Sequence, residues 1–595
     1  MSRSQMPGGL RASRTKIAAA GVAVALTTAL SATALAAPSA RSATDTSCPA
    51  PYPETQLTKG QSVTGLTVDG VKSATDPAPF TGTVLGVLKN GIAPGLDMIM
   101  ARLTSPEIDR VGGIWQGMSG SPVYAADGRL IGAVAYGLSF GPSPVAGITP
   151  AADMEALLGQ QGATARPASG QVAIPSRMAR SITSSGAATR REVSGGMTQL
   201  HLPFVVSGVS GGKRMHQVRK LLHLRNVRFM SGSGTGSSTA TTPIVPGGNL
   251  AASLSYGDLT AAGIGTATAV CGSQVLAFGH PMLFSGPSTL TLHGAETLYV
   301  QEDPAFAPFK VANLTGPEGG ITQDRMAGIR GALGLLPATW PVTSYVAAEG
   351  RSRTGTTLVS VQNLFPDLAT SHLLADQDRV LDAVSPGSGQ VTWAIRGQRA
   401  DGTPFHLRRT DLYASQYDIS GTVAFTLYDT LYQLQNNGTE TVTFTGVHTR
   451  SLLNLQYRHY ALVQVQVRQG GRWVTARRDG TLSLPAGTVA RLRAKLTSPD
   501  LPDRWIGLRL AVPVRAAGQS GSLEVFGGNG SELFGKGNGS GGLNAVLRRL
   551  RSAPHHNEVV AHLSLFAKKA PVSRSAHGTA DAVVDGQLSF QVRGR

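Results

Sequence analysis

The chain has 595 residues and a formal net charge of +18, from 53 Lys and Arg against 35 Asp and Glu. Hydrophobic residues make up 41%, enough for packed cores, so a wholly disordered chain is excluded. With 73 Gly, 34 Pro and only 15% charged residues the composition favours strands and turns over coiled coils, and two cysteines exclude a disulfide-knotted scaffold and any multi-cysteine metal site.

At the N-terminus, Arg3, Arg11, Arg14 and Lys16 precede an uncharged Ala/Val/Leu-rich run from Ile17 to Leu35, and Ala34-Leu35-Ala36 places small residues where a signal peptidase reads. The pattern predicts an export signal over residues 1–36, a mature chain from Ala37 carrying +14, and a secreted or cell-surface location. The competing reading is an uncleaved anchor, but Ala and Thr make the run weakly hydrophobic; no later stretch is long and apolar enough for a stable membrane span. The basic surplus favours contact with an acidic cell-wall polymer, anionic lipid or nucleic acid, against the plainer reading that so thinly spread a charge serves only solubility and a basic surface. The basic residues lack the aromatic interleaving along the chain that marks single-strand binders, so nucleic acid is not expected. In an oxidising compartment Cys48 and Cys271 could pair, provided their Cα atoms approach within about 7 Å.

Residues 37–79 read as an extended leading segment. From Phe80 to Leu158 the pattern is strand after strand (Thr81–Leu88, Asp97–Leu103, Gly113–Gln116, Val123–Tyr124, Leu130–Tyr136), with Ala125-Ala126-Asp127-Gly128 as a hairpin turn and a short helix over Thr149–Leu158. Residues 159–248 read as a linker: a Gly/Ala/Ser/Arg-rich stretch, a basic amphipathic helix over Lys213–Arg228 and a low-complexity loop over Ser231–Thr242. Short strands return over 249–340, including Gly263–Val270 and Gln274–Phe278. After Pro341 the strands alternate, as where Ala490, Leu492, Ala494 and Leu496 interleave with Arg491, Arg493 and Lys495. Residues 341–595 are therefore expected to form β-sandwich domains, with a Gly-rich loop over Gly527–Gly542 and a short basic helix over Leu543–Arg551. The fold class is mainly β.

Two segments carry chemistry. In Gly113-Ile114-Trp115-Gln116-Gly117-Met118-Ser119-Gly120-Ser121-Pro122, glycines flank a serine, as a tight turn needs if it is to present a hydroxyl nucleophile and aim backbone N–H groups at an oxyanion. The competing reading is an ordinary hairpin turn in a barrel. In Val275-Leu276-Ala277-Phe278-Gly279-His280-Pro281 an apolar strand ends in a histidine able to serve as general base. His293 ranks second, and His555-His556 lacks partners for a metal site. No His/Asp/Glu cluster has metal-ligand spacing, the Gly-Lys segments at Ser210–Arg214 and Gly535–Gly537 fail as phosphate loops, and no cofactor is implied.

Gly112-Gly113-Ile114, Gln116-Gly117-Met118-Ser119-Gly120-Ser121-Pro122 and Leu130-Ile131-Gly132-Ala133-Val134 resemble the Ser-bearing part of the stage IV sporulation protein B type of serine peptidase. Gly263-Ile264-Gly265-Thr266 through Phe278-Gly279-His280 is similar to that family's His-bearing part. The resemblance implies a trypsin-like double β-barrel peptidase domain over residues 80–340, with Ser119 as nucleophile, His280 as base, and the Gly117 and Ser119 N–H groups as oxyanion hole. The chain departs from the family in three ways. Ser119 precedes His280; the family's acidic residue is replaced by Ser105 in Leu103-Thr104-Ser105-Pro106, leaving Asp109, then Asp97, or no carboxylate at all as third member; and no peptide-binding PDZ module precedes the peptidase part. The function expected is that of an exported serine endopeptidase acting on protein or peptide substrates through an acyl-enzyme. The alternative is a catalytically inactive, peptidase-like secreted binding or cell-surface protein.

Overall fold

The computed structural model describes residues 48–159, 171–209, 211–232, 234–235, 239–530, 541–566 and 571–595. The expected export signal lies outside the described residues, as does most of the Gly527–Gly542 loop. The chain is mainly β, and no helix among the described residues is long and apolar enough to cross a membrane.

The first unit is a closed antiparallel barrel of six strands: β1 (Ser62–Thr67), β2 (Ala78–Ala93), β3 (Leu96–Thr104), β4 (Pro122–Tyr124), β5 (Leu130–Leu138) and β6 (Val145–Pro150). Their order is β4-β1-β2-β3-β6-β5, and β4 pairs with β5 to close the ring. Val84, Ile99, Ile131, Val134 and Ile148 fill the inside. β5 is buried along its whole length because Ala133 and Ala135 face a second apolar cluster outside the barrel, which explains its unbroken apolar run. Residues 62–67, expected in an extended leading segment, are thus a barrel strand; Ser-Val-Thr-Gly-Leu-Thr offers only two apolar side chains, Val63 and Leu66, to reveal it. Conversely, Gly113–Gln116 is not a strand but an irregular loop that makes one isolated bridge from Gln116 to Phe309.

Between β3 and β4 lies α1 (Pro106–Val111), capped by Ser105, whose Oγ accepts the Ile108 N–H at 3.1 Å. α2 (Ala151–Gly159) follows β6. The stretch expected to be a linker is also built: β7 (Gln171–Val172), α3 (Ser176–Ser184), α4 (Arg190–Ser194) and β8 (Met197–Gln199) pack on the barrel, with β8 pairing to β5. Its Gly, Ala and Ser residues disguise elements of two to nine residues whose apolar contacts are few.

β9 (Leu202–Val206), α5 (Gly211–Leu222) and β10 (Val227–Ser231) lead into β11 (Asn249–Gly257), β12 (Ala261–Cys271), β13 (Gln274–Ala277), β14 (Gly286–Gln301), β15 (Phe309–Arg325) and β16 (Gly328–Leu333). These belong to a 13-stranded sheet in which β12 also pairs with β11. Basic α5 is amphipathic, with Lys213, Arg219 and Lys220 exposed and Val218 and Leu222 buried, but Arg214 is buried too, its guanidinium bonded to Asp378 and Asp418. Cys48 and Cys271 form a disulfide with Cα atoms 4.9 Å apart.

The region after Pro341 differs from expectation over nearly half its length, up to Asn454. β17 (Trp340–Ala348), β18 (Arg351–Val359), β19 (Gly387–Gln398), β20 (Pro404–Ser415) and β21 (Thr443–Asn454) extend the large sheet, covered by α6 (Phe365–Leu381) and α7 (Ile419–Gln435). α6 is buried on almost every side, so it has no polar stripe and no 3.6-residue signature. From His459 onward two five-stranded sheets share one apolar cluster that includes Val465, Leu492 and Leu510 from one and Leu523, Leu563 and Phe590 from the other. On the first sheet's outer face, neighbouring strands bring Trp473 and Trp505 to 4.5 and 4.2 Å from the Arg493 guanidinium, an interleaving invisible along the chain.

Candidate functional site

The Gly113–Ser121 loop runs between the closed barrel and the large sheet. Trp115 and Met118 anchor it in the barrel core, leaving the residues between them to face the sheet. Gln116 N–H donates to Pro308 O at 2.8 Å and Gln116 O accepts from Lys310 N–H at 2.9 Å; Ser119 O accepts from Thr266 N–H at 2.8 Å. Thr266 Oγ1 and Thr268 Oγ1 donate to the carbonyls of Gly117 and Gly120 at 3.0 and 2.8 Å. Gly117 and Gly120 have φ of +95° and +99°, and a Cβ on Gly120 would overlap the Thr266 carbonyl. The glycines flanking Ser119 are therefore dictated by geometry. Among the described residues, neither the Gly117 nor the Ser119 N–H donates to a protein acceptor.

His280 leaves β13 through a turn in which Phe278 and Gly279 have φ of +68° and +66°. Asp324, buried on β15, accepts the Met282 and Leu283 N–H groups at 2.8 and 2.7 Å, and Thr149 Oγ1 donates to Gly279 O at 2.6 Å. Held from both sides, the imidazole places Nε2 2.9 Å from Ser119 Oγ, across 161 residues of sequence. Both side chains are 0% exposed. Burial pushes the His280 pKa down to about 4, opposed by the hydrogen bond to Pro281 O. The ring is neutral at pH 7, as a general base must be. An Nδ1–H donating to Pro281 O at 2.9 Å leaves the Nε2 lone pair free to accept the Ser119 proton.

The third position is filled by an amide. Gln199, on β8, has Nε2 2.8 Å from both His280 Nδ1 and Pro281 O, and its Oε1 accepts from Asn226 Nδ2 at 3.3 Å. Its placement in a Gly/Ser/Ala-rich stretch gave no chemical signal. Asp109 lies elsewhere: exposed on α1, it accepts from Thr104 Oγ1 at 3.2 Å. Asp97 pairs with Lys89 and accepts the Asn90 N–H. Ser105 is the α1 cap. None of the three is brought to His280.

His293 makes a second serine–histidine contact, with Nε2 2.9 Å from Ser253 Oγ and Nδ1 3.0 Å from Thr315 O. It differs from the first pair in one decisive respect. Ser253 lies within β11, paired with Ala262 of β12 and Thr291 of β14 where the β11–β12 register shifts, rather than on a glycine-flanked turn. His555 and His556 gather at Asp411, which forms an ion pair with Arg409, and no group of three metal-ligating side chains occurs among the described residues.

A cleft of about 620 Å³ opens beside the Gly113–Ser121 loop; Gln116 and Gln199 are among the residues that line it, while Ser119 and His280 lie buried behind them. Gln116 is 5% exposed, and its Oε1 has no hydrogen-bond partner among the described residues.

No family model matches the chain, and no match was found among the curated proteins or the solved structures.

Proposed function

We propose that the chain is an exported serine endopeptidase of the stage IV sporulation protein B type, with Ser119 as nucleophile and His280 as general base. The observation that carries the reading is the 2.9 Å contact of Ser119 Oγ with His280 Nε2, on a glycine-flanked turn whose two nearby amides are unengaged. The pairing circuit β12-β13-β16-β15-β14-β11-β12 supports a second barrel beside the first, and the two facing five-stranded sheets support a β-sandwich domain at the C-terminus. The Cys48–Cys271 disulfide supports an oxidising, extracytoplasmic location.

In this reading His280 Nε2 takes the Ser119 proton as Oγ attacks the peptide carbonyl. The Gly117 and Ser119 N–H groups stabilise the oxyanion. The imidazolium then gives its proton to the departing amine, leaving an acyl-enzyme that water cleaves by the same steps in reverse. The Pro281 carbonyl, accepting from Nδ1–H, is the group that steadies the imidazolium. Casein hydrolysis or self-cleavage by the purified chain, compared with Ser119→Ala, tests this; loss of on the order of 10³-fold or more is expected, and equal activity in both overturns it.

A second reading is favoured by the complete burial of both side chains and by the amide in place of a carboxylate at Nδ1. The chain would then be an inactive, peptidase-like surface protein that binds an acidic wall polymer. Residues 458–511, which carry ten Lys and Arg against three Asp, and the Trp473–Arg493–Trp505 stack would form its contact face.

A further inference from the structure

We propose that the cleft beside Ser119 is a subsite for a large apolar side chain, preferably aromatic, of an extended peptide, and that the Gln116 carboxamide pairs with the backbone of that peptide. The proposal rests on the peptidase reading for the identity of the bound chain, and goes beyond it by naming the substrate class.

Three observations converge. The cleft, at about 620 Å³, is large enough for an aromatic side chain together with flanking backbone. Its walls carry two large exposed rings, Phe140 at 50% and Phe306 at 69% exposure, with Leu138 and Pro142 beside them. Neither ring is on a loose end. Phe140 packs over Gly195, where a Cβ would collide with the ring. The Phe306 turn is braced by Asp303, which accepts the Ala305 and Phe306 N–H groups at 3.1 and 3.0 Å and pairs with Arg228 at 2.7 Å. Rings held open to water beside the loop that carries Ser119 mark a surface built to be covered.

The second observation is Gln116. A carboxamide this deeply buried with an unpartnered oxygen is unusual, because buried polar atoms are nearly always satisfied. It lines the cleft and immediately precedes Gly117, whose N–H is unengaged. A peptide whose carbonyl reaches the Gly117 and Ser119 amides therefore runs past Gln116. An amide side chain supplies one acceptor and one donor, the complement of a peptide N–H and C=O.

The third observation is the placement of charge. Arg191 and Glu192 are the charged groups lining the cleft, and Glu192 is already engaged by the Thr189 N–H and hydroxyl that cap α4. The other lining residues are apolar or uncharged polar, apart from His201. A Lys side chain entering beside Phe140 and Phe306 would lose water, meet the like charge of Arg191 and find the Glu192 carboxylate already engaged, which discriminates against it.

The test uses the full chain carrying Ser119→Ala, so that binding is read without turnover, and fluorescein-labelled decapeptides of Gly, Ser and Asn with one central Phe, Ala or Lys. Fluorescence anisotropy is expected to show the Phe peptide bound at least 10-fold tighter than the Lys peptide. Adding Phe306→Ser or Phe140→Ser is expected to remove that preference while leaving Ala-peptide binding within two-fold. Adding Gln116→Ala is expected to weaken all three peptides alike. Equal binding of Phe and Lys peptides, no binding of any, or a preference untouched by both Phe substitutions overturns the proposal. Turnover of the same peptides by the unsubstituted chain separates the two claims. Hydrolysis without side-chain preference refutes the subsite and spares the peptidase. Phe-selective binding without hydrolysis spares the subsite as a peptide-binding cleft and refutes the peptidase.

Discussion

The Gln199 side-chain nitrogen lies 2.8 Å from His280 Nδ1, at the ring nitrogen remote from the one that meets Ser119. An amide there can steer the ring but cannot stabilise positive charge on it as a carboxylate would. If Gln199 donates to Nδ1, the proton moves to Nε2 and the ring can no longer accept from Ser119; if Pro281 O accepts from Nδ1–H, the ring is ready as a base. Gln199→Glu is therefore expected to favour the second state and to raise the His280 pKa from about 4, since an adjacent opposite charge favours the imidazolium by about 1–3 units. The acid limb of the pH–rate profile should move to higher pH and the maximal rate should rise. A limb left in place, with a lower rate, speaks against this role.

Burial of His280 and His293 also sets a stability profile. Each has its pKa lowered from 6.5 to about 4 in the folded chain, so the unfolded chain binds the extra protons between those values. Stability is thus fully present above pH 6.5 and falls as pH drops towards 4, by on the order of 3 kcal/mol for each ring. Urea denaturation at pH 7.5 and 4.5 checks the slope. His293→Gln should flatten it, whereas a variant as pH-sensitive as the parent contradicts the assignment.

Lys310 gives the complementary test at alkaline pH. It is fully buried next to Gly117, with a hydrogen bond to Asn249 Oδ1 at 2.8 Å, and burial lowers its pKa from 10.5 to about 7. The folded chain holds it neutral while the unfolded chain keeps it charged, so stability rises with pH between about 7 and 10.5. Lys310→Met should remove that rise and stabilise the protein at pH 6, because a buried ammonium is replaced by an apolar chain and Asn249 Oδ1 still accepts from Thr297 Oγ1 at 3.1 Å. A Lys310→Met chain with a lower melting midpoint at pH 6 runs against the prediction.

The Arg214 cluster should behave in the opposite way. Its guanidinium joins Asp378 of α6 and Asp418, which caps α7, at 2.8 Å each through Nη2, with further bonds through Nε and Nη1. Arg214→Met strands two carboxylates against the helices and is expected to cost about 3–5 kcal/mol. Equilibrium denaturation reads the loss, and a cost below about 1 kcal/mol shows that the carboxylates find water instead.

How much of this was legible follows from the range over which each signal acts. The Ser119 turn was legible because glycines at Gly117 and Gly120 report on local backbone geometry, and the strands after Phe80 and after Pro341 show their alternation. His280 stood out because a Gly-His-Pro step ends an apolar strand. Gln199 was hidden, since nothing along a Gly/Ser/Ala-rich stretch reveals which ring its amide will meet. Asp109 was singled out by proximity in sequence, a poor guide when the groups at His280 Nδ1 come from β8 and from its own turn. α6 and α7 were missed because helices buried on several sides carry little periodicity, and the Arg493 stack because its three members sit on three strands.

The central claim concerns the reactivity of one hydroxyl. A fluorophosphonate probe applied to the folded chain, with the adduct mapped by peptide mass spectrometry, tests it most directly. The account predicts a single adduct on Ser119, abolished by His280→Ala and unaffected by His293→Ala. No adduct on the folded protein, or one that persists after His280→Ala, contradicts it.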